Sequence, residues 1–161
     1  MHKKTWILST IVLISNCSLN ENNNQIEAVN YKFYGKNYFI HQELTDALNR
    51  KNIRLVSSCN NVDKCAKIKI NKSSLNSYTS IMLENAKEQE QTLRLSVSYE
   101  IEINGKTESK KIIQEGSRVN KESDNIGKIK TRKIIKINLA KKASEELIRK
   151  MQKEYRSSIK K

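Results

Sequence analysis

The chain of 161 residues contains no proline, only four glycines and only two histidines. So few glycines leave few places where a backbone could closely approach a phosphate, which argues against a glycine-rich nucleotide loop. His2 lies at the extreme N-terminus, and His41 lies among polar residues in a segment of helical periodicity, which indicates a surface position rather than a catalytic base. The sequence also lacks a metal-ligand cluster and a nucleophile motif. We therefore expect a protein that is not an enzyme and that needs no cofactor.

Acidic residues are also scarce relative to basic ones. The chain has 31 lysines and arginines and 17 aspartates and glutamates, a net charge of +14. The first sixteen residues hold two of the lysines and no acid, so the remainder stands at +12. A negatively charged neighbour is expected from this excess. The abundance of Asn, Lys and Ile is also typical of an AT-rich genome, which is a second source of lysine.

The only long apolar run lies at the N-terminus. Lys3 and Lys4 precede residues 6–14, which are almost wholly apolar, as in a secretory signal. At about 1.5 Å per residue, this run spans only about half of a bilayer core. Ile14 and Ser15 before Cys17 resemble a bacterial lipobox, which implies that residues 1–16 are removed and that Cys17 is acylated. Ser18 is not the aspartate that retains lipoproteins at the inner membrane, so an outer-membrane anchor is expected; the alternative is an ordinary secreted protein.

Two cysteines remain after Cys17, in the segment SSCNNVDKCAKI. Export to an oxidising compartment favours a disulfide between Cys59 and Cys65, whose five intervening polar residues are suited to a turn. The competing interpretation is a metal or redox site, but the pair lacks the C-x-x-C spacing and has no histidines nearby. A structural disulfide is the prediction.

The mature chain divides into an Asn-rich tether, residues 17–25, and a single domain, residues 26–161. A strand ending at Gly35 precedes a helix that carries apolar residues at positions 40, 44, 47 and 48 and ends near Asn52. Residues 53–58 and 66–73 predict two strands joined as a hairpin through the cysteine loop. Residues 77–83 remain ambiguous between a strand extension and a separate short strand, and residues 84–91 predict a loop.

The strongest pattern is the alternation of apolar and polar residues over 93–103, which predicts a long strand with one buried face. Asn104-Gly105 predicts a type I′ turn and an antiparallel return strand to about Gln114, with an irregular excursion from Gly116. Ala140, Ala143, Leu147, Met151 and Tyr155 then predict a C-terminal amphipathic helix. Together these elements predict an α+β, two-layer sandwich in which two helices cover one face of a mostly antiparallel or mixed sheet of about four strands.

This element order resembles the LptE family, the lipopolysaccharide-assembly lipoproteins that sit inside the outer-membrane barrel LptD. The segments FIHQELTDALNRKNIRLVSS and LRLSVSYEIEINGK resemble the family's helix–strand junction and its amphipathic strand, and KKASEELIRKMQ resembles its final helix. The resemblance implies a protein that plugs and helps to assemble an LptD-like β-barrel and aids lipopolysaccharide transport. It also implies a lipid anchor in the outer membrane, with the domain facing the periplasm or the barrel lumen.

Lipid A carries phosphates, which cations on the exposed side of a sheet can bind. Lys67 and Lys69 alternate with Ile68, and Arg94 lies between Leu93 and Leu95, so all three are predicted on that side as candidate lipopolysaccharide-binding residues. The alternative for each is an ordinary solvated position.

Two other functions are alternatives to the LptE interpretation. The run KIKTRKIIKINLAKK is compatible with nucleic-acid binding, but export and an aromatic content of 6% argue against it, so no nucleic-acid partner is expected. The second alternative is another outer-membrane lipoprotein that acts as a protein-binding module, such as a peptidoglycan-synthase activator, a secretion accessory or a surface antigen. Co-purification with a large β-barrel distinguishes the two, because only the LptE interpretation requires one.

Overall fold

The computed structural model describes residues 25–36, 38–60, 62–82, 88–121 and 125–159. The predicted signal segment and the predicted tether up to residue 24, including Cys17, lie outside the described residues. The elements are β1 (Ala28–Phe33), α1 (Tyr38–Arg50), β2 (Arg54–Leu55), β3 (Cys65–Met82), β4 (Glu88–Ile103), β5 (Lys106–Lys121) and α2 (Asn125–Ile159). They form one open five-stranded sheet and two helices, which confirms the predicted α+β class.

The strand order is β2-β1-β3-β4-β5. β1 pairs in parallel with both β2 and β3, whereas β3, β4 and β5 are antiparallel neighbours. The predicted hairpin between the segments on either side of the cysteine loop is therefore wrong, because β1 lies between them. β1, α1 and β2 form a strand–helix–strand unit, whose helical crossover places β2 parallel to β1, and β3 takes the other side of β1. The Cys59–Cys65 disulfide, with an S–S distance of 2.11 Å, closes the loop between β2 and β3.

Two asparagines end regular elements as the sequence predicts. Asn52 follows α1 with φ of 55°, and the Ile53 amide donates to the Leu48 carbonyl at 3.0 Å, the hydrogen bond of a Schellman motif. Asn104 and Gly105 have φ of 50° and 76° between β4 and β5. Both positive angles are those of a type I′ turn, so the predicted helix end and hairpin are confirmed.

β5 is longer and more regular than its sequence indicates. It runs to Lys121, and Gly116 lies within it opposite Leu93, where the sequence predicted an irregular excursion. A Cβ at Gly116 would lie 3.0 Å from the Cγ2 of Ile135 and 3.5 Å from the Cδ2 of Leu139. Gly116 therefore permits the close approach of α2 to the sheet, which is why a glycine occurs inside a strand.

The core lies between the sheet and the two helices. The apolar positions of β4 from Leu93 to Ile103 are buried, as are the apolar stripe of α1 and the predicted stripe of α2. α2 begins at Asn125 rather than near Ala140, so the basic run lies inside the helix. Although α2 has 35 residues, no described helix combines the length and apolar character needed to cross a bilayer.

Polar contacts also fix α2 to the other elements. The ammonium group of Lys110 on β5 lies 2.5 Å from Glu108 and 2.6 Å from Glu154 of α2, and these two carboxylates raise its pKa. Gln114 donates to Glu146 of α2 at 2.7 Å. Both links join β5 to α2, so the helix layer has one defined position on the sheet.

Candidate ligand-binding face of the sheet

The side of the sheet away from the helices is here called the open sheet face. Because side chains alternate along a strand, it is formed by the residues between the buried ones. Among the side chains that the structure describes on the three long strands, its charged members are Lys67, Lys69 and Lys72 of β3, Arg94, Glu100 and Glu102 of β4, and Lys111 and Glu115 of β5.

Lys67 and Lys69 lie on this face, and each has a glutamate as its cross-strand neighbour on β4. The Lys67 ammonium is 2.7 Å from a carboxylate oxygen of Glu102, and the Lys69 ammonium is 3.5 Å from Glu100. Lys69 also lies 5.7 Å from the centre of the Tyr34 ring, a cation–π distance. The structure thus brings the two lysines together but leaves little net positive charge at that spot.

Arg94 lies on the same face but apart from the two lysines. Six residues of β4 separate it from Glu100, which corresponds to roughly 20 Å at about 3.3 Å per residue. Its guanidinium binds the carboxylate of Glu115 and lies 5.3 Å from the centre of the Tyr78 ring. The hydrogen bond with Glu115 raises the pKa of Arg94. The three predicted cations are therefore two sites on one face, both partnered by carboxylates.

A third basic site lies between these two, and the sequence analysis missed it. Lys72 and Lys111 lie on either side of Ser98 in adjacent strands, both exposed, and neither forms an ion pair with a described residue. Strict alternation from Ile70 would turn Lys72 towards the core. A register shift between Ile70 and Lys72 leaves Asn71 as an extra residue, and this β-bulge turns Lys72 outward.

The signal for this bulge is present in the sequence but weak. After Ile70 the apolar alternation stops, and lysine and serine occupy positions where the pattern requires apolar residues. The Asn71 amide donates to Glu100 at 2.7 Å, so the extra residue is held on the open sheet face. An interruption of the alternation beside an asparagine is what a bulge requires, although it does not fix which residue is inserted.

His41 does not lie on the surface as predicted. Its ring stacks on Tyr31 with centroids 5.5 Å apart, lies 5.3 Å from the Phe33 ring, and is only partly exposed. His41 Nδ1 is 3.3 Å from the Tyr31 hydroxyl, and burial raises the pKa of that hydroxyl. The surface prediction is wrong because β1 turns Tyr31 and Phe33 towards α1. His41 packs α1 against β1.

The comparisons with known proteins show a shared fold. The structure is similar to rare lipoprotein B from Shewanella oneidensis, with a TM-score of 0.65, 15% identity and coverage of 77% of this chain and 92% of that one. It is also similar to a minor lipoprotein from Acinetobacter baumannii, with a TM-score of 0.58, 12% identity and coverage of 80% and 92%.

A third solved structure agrees with these two. Lipoprotein B from Nitrosomonas europaea gives a TM-score of 0.51 at 13% identity, with coverage of 78% of this chain and 84% of that one. No protein-family profile and no curated protein sequence matches the chain. At such identities the likeness concerns the fold, and this chain has the fold of these bacterial lipoproteins.

Proposed function

We propose that this chain is an outer-membrane lipoprotein of the LptE type, which plugs and helps to assemble an LptD-like β-barrel and aids lipopolysaccharide transport to the cell surface. The observation that carries the proposal is the likeness of its fold to rare lipoprotein B, of which the match covers 92%. That neighbour is a bacterial lipoprotein, and this chain shares its fold. The lipobox-like residues before Cys17 and the LptE-like element order support it independently of the structural comparison.

The proposed anchor is an acyl group on Cys17. Nine residues, 17–25, join it to the start of the domain, and at most about 3.4 Å per residue gives a reach of roughly 30 Å. This length holds the domain close to the membrane while leaving it free to enter a partner. The role is one of binding and assembly, so it requires no catalytic residue and no cofactor.

For lipopolysaccharide, the proposed contacts are the cations of the open sheet face. Lys67, Lys69 and Arg94 bind carboxylates, which compete with a phosphate, whereas Lys72 and Lys111 form no ion pair with any described residue. A phosphate at the latter pair gains charge-assisted hydrogen bonds without displacing a carboxylate. Lys72 and Lys111 are therefore the proposed first contacts, with the three partnered cations on either side.

The barrel partner is tested by a mild-detergent pull-down of the tagged chain from outer membranes, analysed by mass spectrometry. We expect stoichiometric recovery of one large β-barrel with the wild-type chain, and with Cys17→Ala the loss of the membrane association that resists high salt. Recovery of peptidoglycan enzymes, a secretion apparatus or no barrel would overturn the LptE proposal and leave an envelope lipoprotein with another partner.

The lipopolysaccharide contacts are tested by titrating immobilised lipopolysaccharide with matched variants. Lys72→Ala with Lys111→Ala removes two cations without described ion pairs, and Lys67→Ala with Lys69→Ala removes two partnered ones. We expect the first variant to bind roughly tenfold more weakly and the second to change much less, because its cations are already neutralised. An equal loss in both variants would contradict the assignment.

A further inference from the structure

Most of the net positive charge of the domain lies on α2, whose 35 residues hold eleven lysines and arginines and three glutamates. Five cations of α2 point away from the core and are here called the outer helix face: Lys141, Lys142, Arg149, Lys153 and Arg156. All five are exposed, and none forms an ion pair with a described residue. Arg149 and Arg156 lie two helical turns apart on the side of α2 opposite the buried Leu147.

The end of α1 adds to this charge. Arg50 and Lys51 line a groove of about 580 Å³ together with Arg149 and Arg156, and Glu145 is the one acidic residue in its lining among the described residues. Four cations against one carboxylate give the groove a net positive charge. A groove that is open, polar and basic is suited to anionic headgroups rather than to an apolar ligand.

The N-terminal end of the described chain meets the same face. Gln25 lines the groove, and the amide of Ile26 donates to the side-chain oxygen of Gln152 at 3.1 Å. Residue 25 is also where the tether joins the domain. A membrane that holds the start of the tether therefore lies within reach of the outer helix face.

One apolar side chain extends this face towards the start of α2. Ile134 is 58% exposed and lies on the same side of the helix as Lys141 and Arg149, at spacings of seven and fifteen residues. Exposed isoleucine among long cationic side chains is the composition of helices that lie in a membrane interface, where the cations reach phosphates and the apolar group enters the headgroup region.

We propose that the outer helix face lies on the anionic phospholipid headgroups of the leaflet that carries the lipid anchor. In the chain that has not entered a barrel, the contact orients the domain so that α2 is against the membrane and the open sheet face points away from it. The inference uses the anchor of the proposed function for the choice of partner, but it needs neither a barrel nor lipopolysaccharide. Its electrostatic part follows from the charge distribution alone.

The test is co-sedimentation of the mature chain, residues 17–161 with Cys17→Ser, with vesicles of phosphatidylcholine alone or mixed with phosphatidylglycerol. No acyl group and no lipopolysaccharide are present, so a failure here is distinguishable from a failure of the barrel pull-down. All contacts described above lie within residues 25–159, so this chain retains them. We expect binding to the phosphatidylglycerol vesicles only, and its loss at high salt.

Two variants with the same change in net charge decide whether this face is responsible. Arg149→Glu with Arg156→Glu reverses two cations of the outer helix face. Lys32→Glu with Lys36→Glu reverses two exposed lysines, one on β1 on the open sheet face and one before α1. Circular dichroism confirms that each variant is folded.

We expect the affinity of the first variant for the anionic vesicles to fall at least about tenfold, and that of the second to stay within about threefold of wild type. Equal weakening would mean that binding follows net charge alone and would overturn the proposal. Absence of wild-type binding would also overturn it.

Discussion

The two ends of this domain are built differently. At the compact end the sheet has five strands, and α1 and residues 139–159 of α2 cover it. At the extended end only residues 76–82, 88–92 and 117–121 of the three long strands continue, beside residues 125–134 of α2. Of the side chains that the structure describes at the extended end, those of residues 76–79, 91–92, 117 and 129–134, none is a buried apolar one. The compact end is stabilised by apolar burial, whereas the described side chains of the extended end are polar or exposed.

The difference is clearest along α2. Leu147 is fully buried, whereas Ile129 is 72% exposed, although 18 residues, five helical turns, place them on the same side of the helix. Leu147→Ala should lower the free energy of unfolding by about 2–5 kcal/mol because it leaves a cavity. Ile129→Ala should change it by less than about 0.5 kcal/mol. Urea unfolding of both variants gives the values, and similar costs would show that both ends share one core.

The cysteine loop is a second contributor at the compact end. Cys59→Ser with Cys65→Ser should lower the free energy of unfolding by about 2 kcal/mol, because losing a crosslink that closes a loop of this length increases the conformational entropy of the unfolded chain. The measurement is denaturant unfolding with and without reductant. Reductant should destabilise the wild type to the level of the variant and leave the variant unchanged; an unaffected wild type would contradict the contribution of the bond.

The ion pairs of the open sheet face should contribute less to the free energy of unfolding. Pairs at different points along the sheet should contribute similar amounts. Lys67 with Glu102 lies beside β1, and Arg94 with Glu115 lies near the extended end. All four side chains are 36–47% exposed, so solvent screens both pairs and each should couple by about 0.2–1 kcal/mol. Double-mutant cycles at low and high salt measure this coupling. A value of several kcal/mol that is insensitive to salt would mean that one pair is shielded from solvent.

The smallest expected effect is that of Glu27, whose hydrogen bond with Lys64 at 2.8 Å lowers its pKa below the ordinary 4.5. A carboxyl with a depressed pKa in the folded state stabilises the fold above its unfolded pKa, and this contribution is lost as pH falls through the folded value. Glu27→Gln should therefore reduce the loss of stability below about pH 4.5. Thermal unfolding from pH 6 to pH 3 tests this, and a steeper loss in the variant would contradict it.

The contrast between the two ends explains which helices and strands the sequence predicts. Apolar periodicity identifies β4, α1 and the second half of α2 because each buries one face. It does not identify the first turns of α2 or residues 117–121 of β5, because their polar sequences are typical of loops. The position of β1 between β2 and β3 depends on which strands pair with each other. The apolar pattern within one strand carries no information about its neighbours.

The same limit applies to the candidate ligand-binding face. Strand alternation correctly places Lys67, Lys69 and Arg94 on the open sheet face, but it contains no information about the glutamates opposite them. Lys72 reaches that face only through the bulge at Asn71, which alternation alone cannot predict. Charge counting likewise predicts an anionic partner without indicating that the excess lies on α2.

The proposed transport function is tested most directly by depleting this chain from its host and measuring lipopolysaccharide at the cell surface. We predict that surface lipopolysaccharide falls while newly made lipopolysaccharide accumulates inside the envelope, and that the wild-type gene restores both. Unchanged lipopolysaccharide at the surface after complete depletion would contradict the LptE-type function.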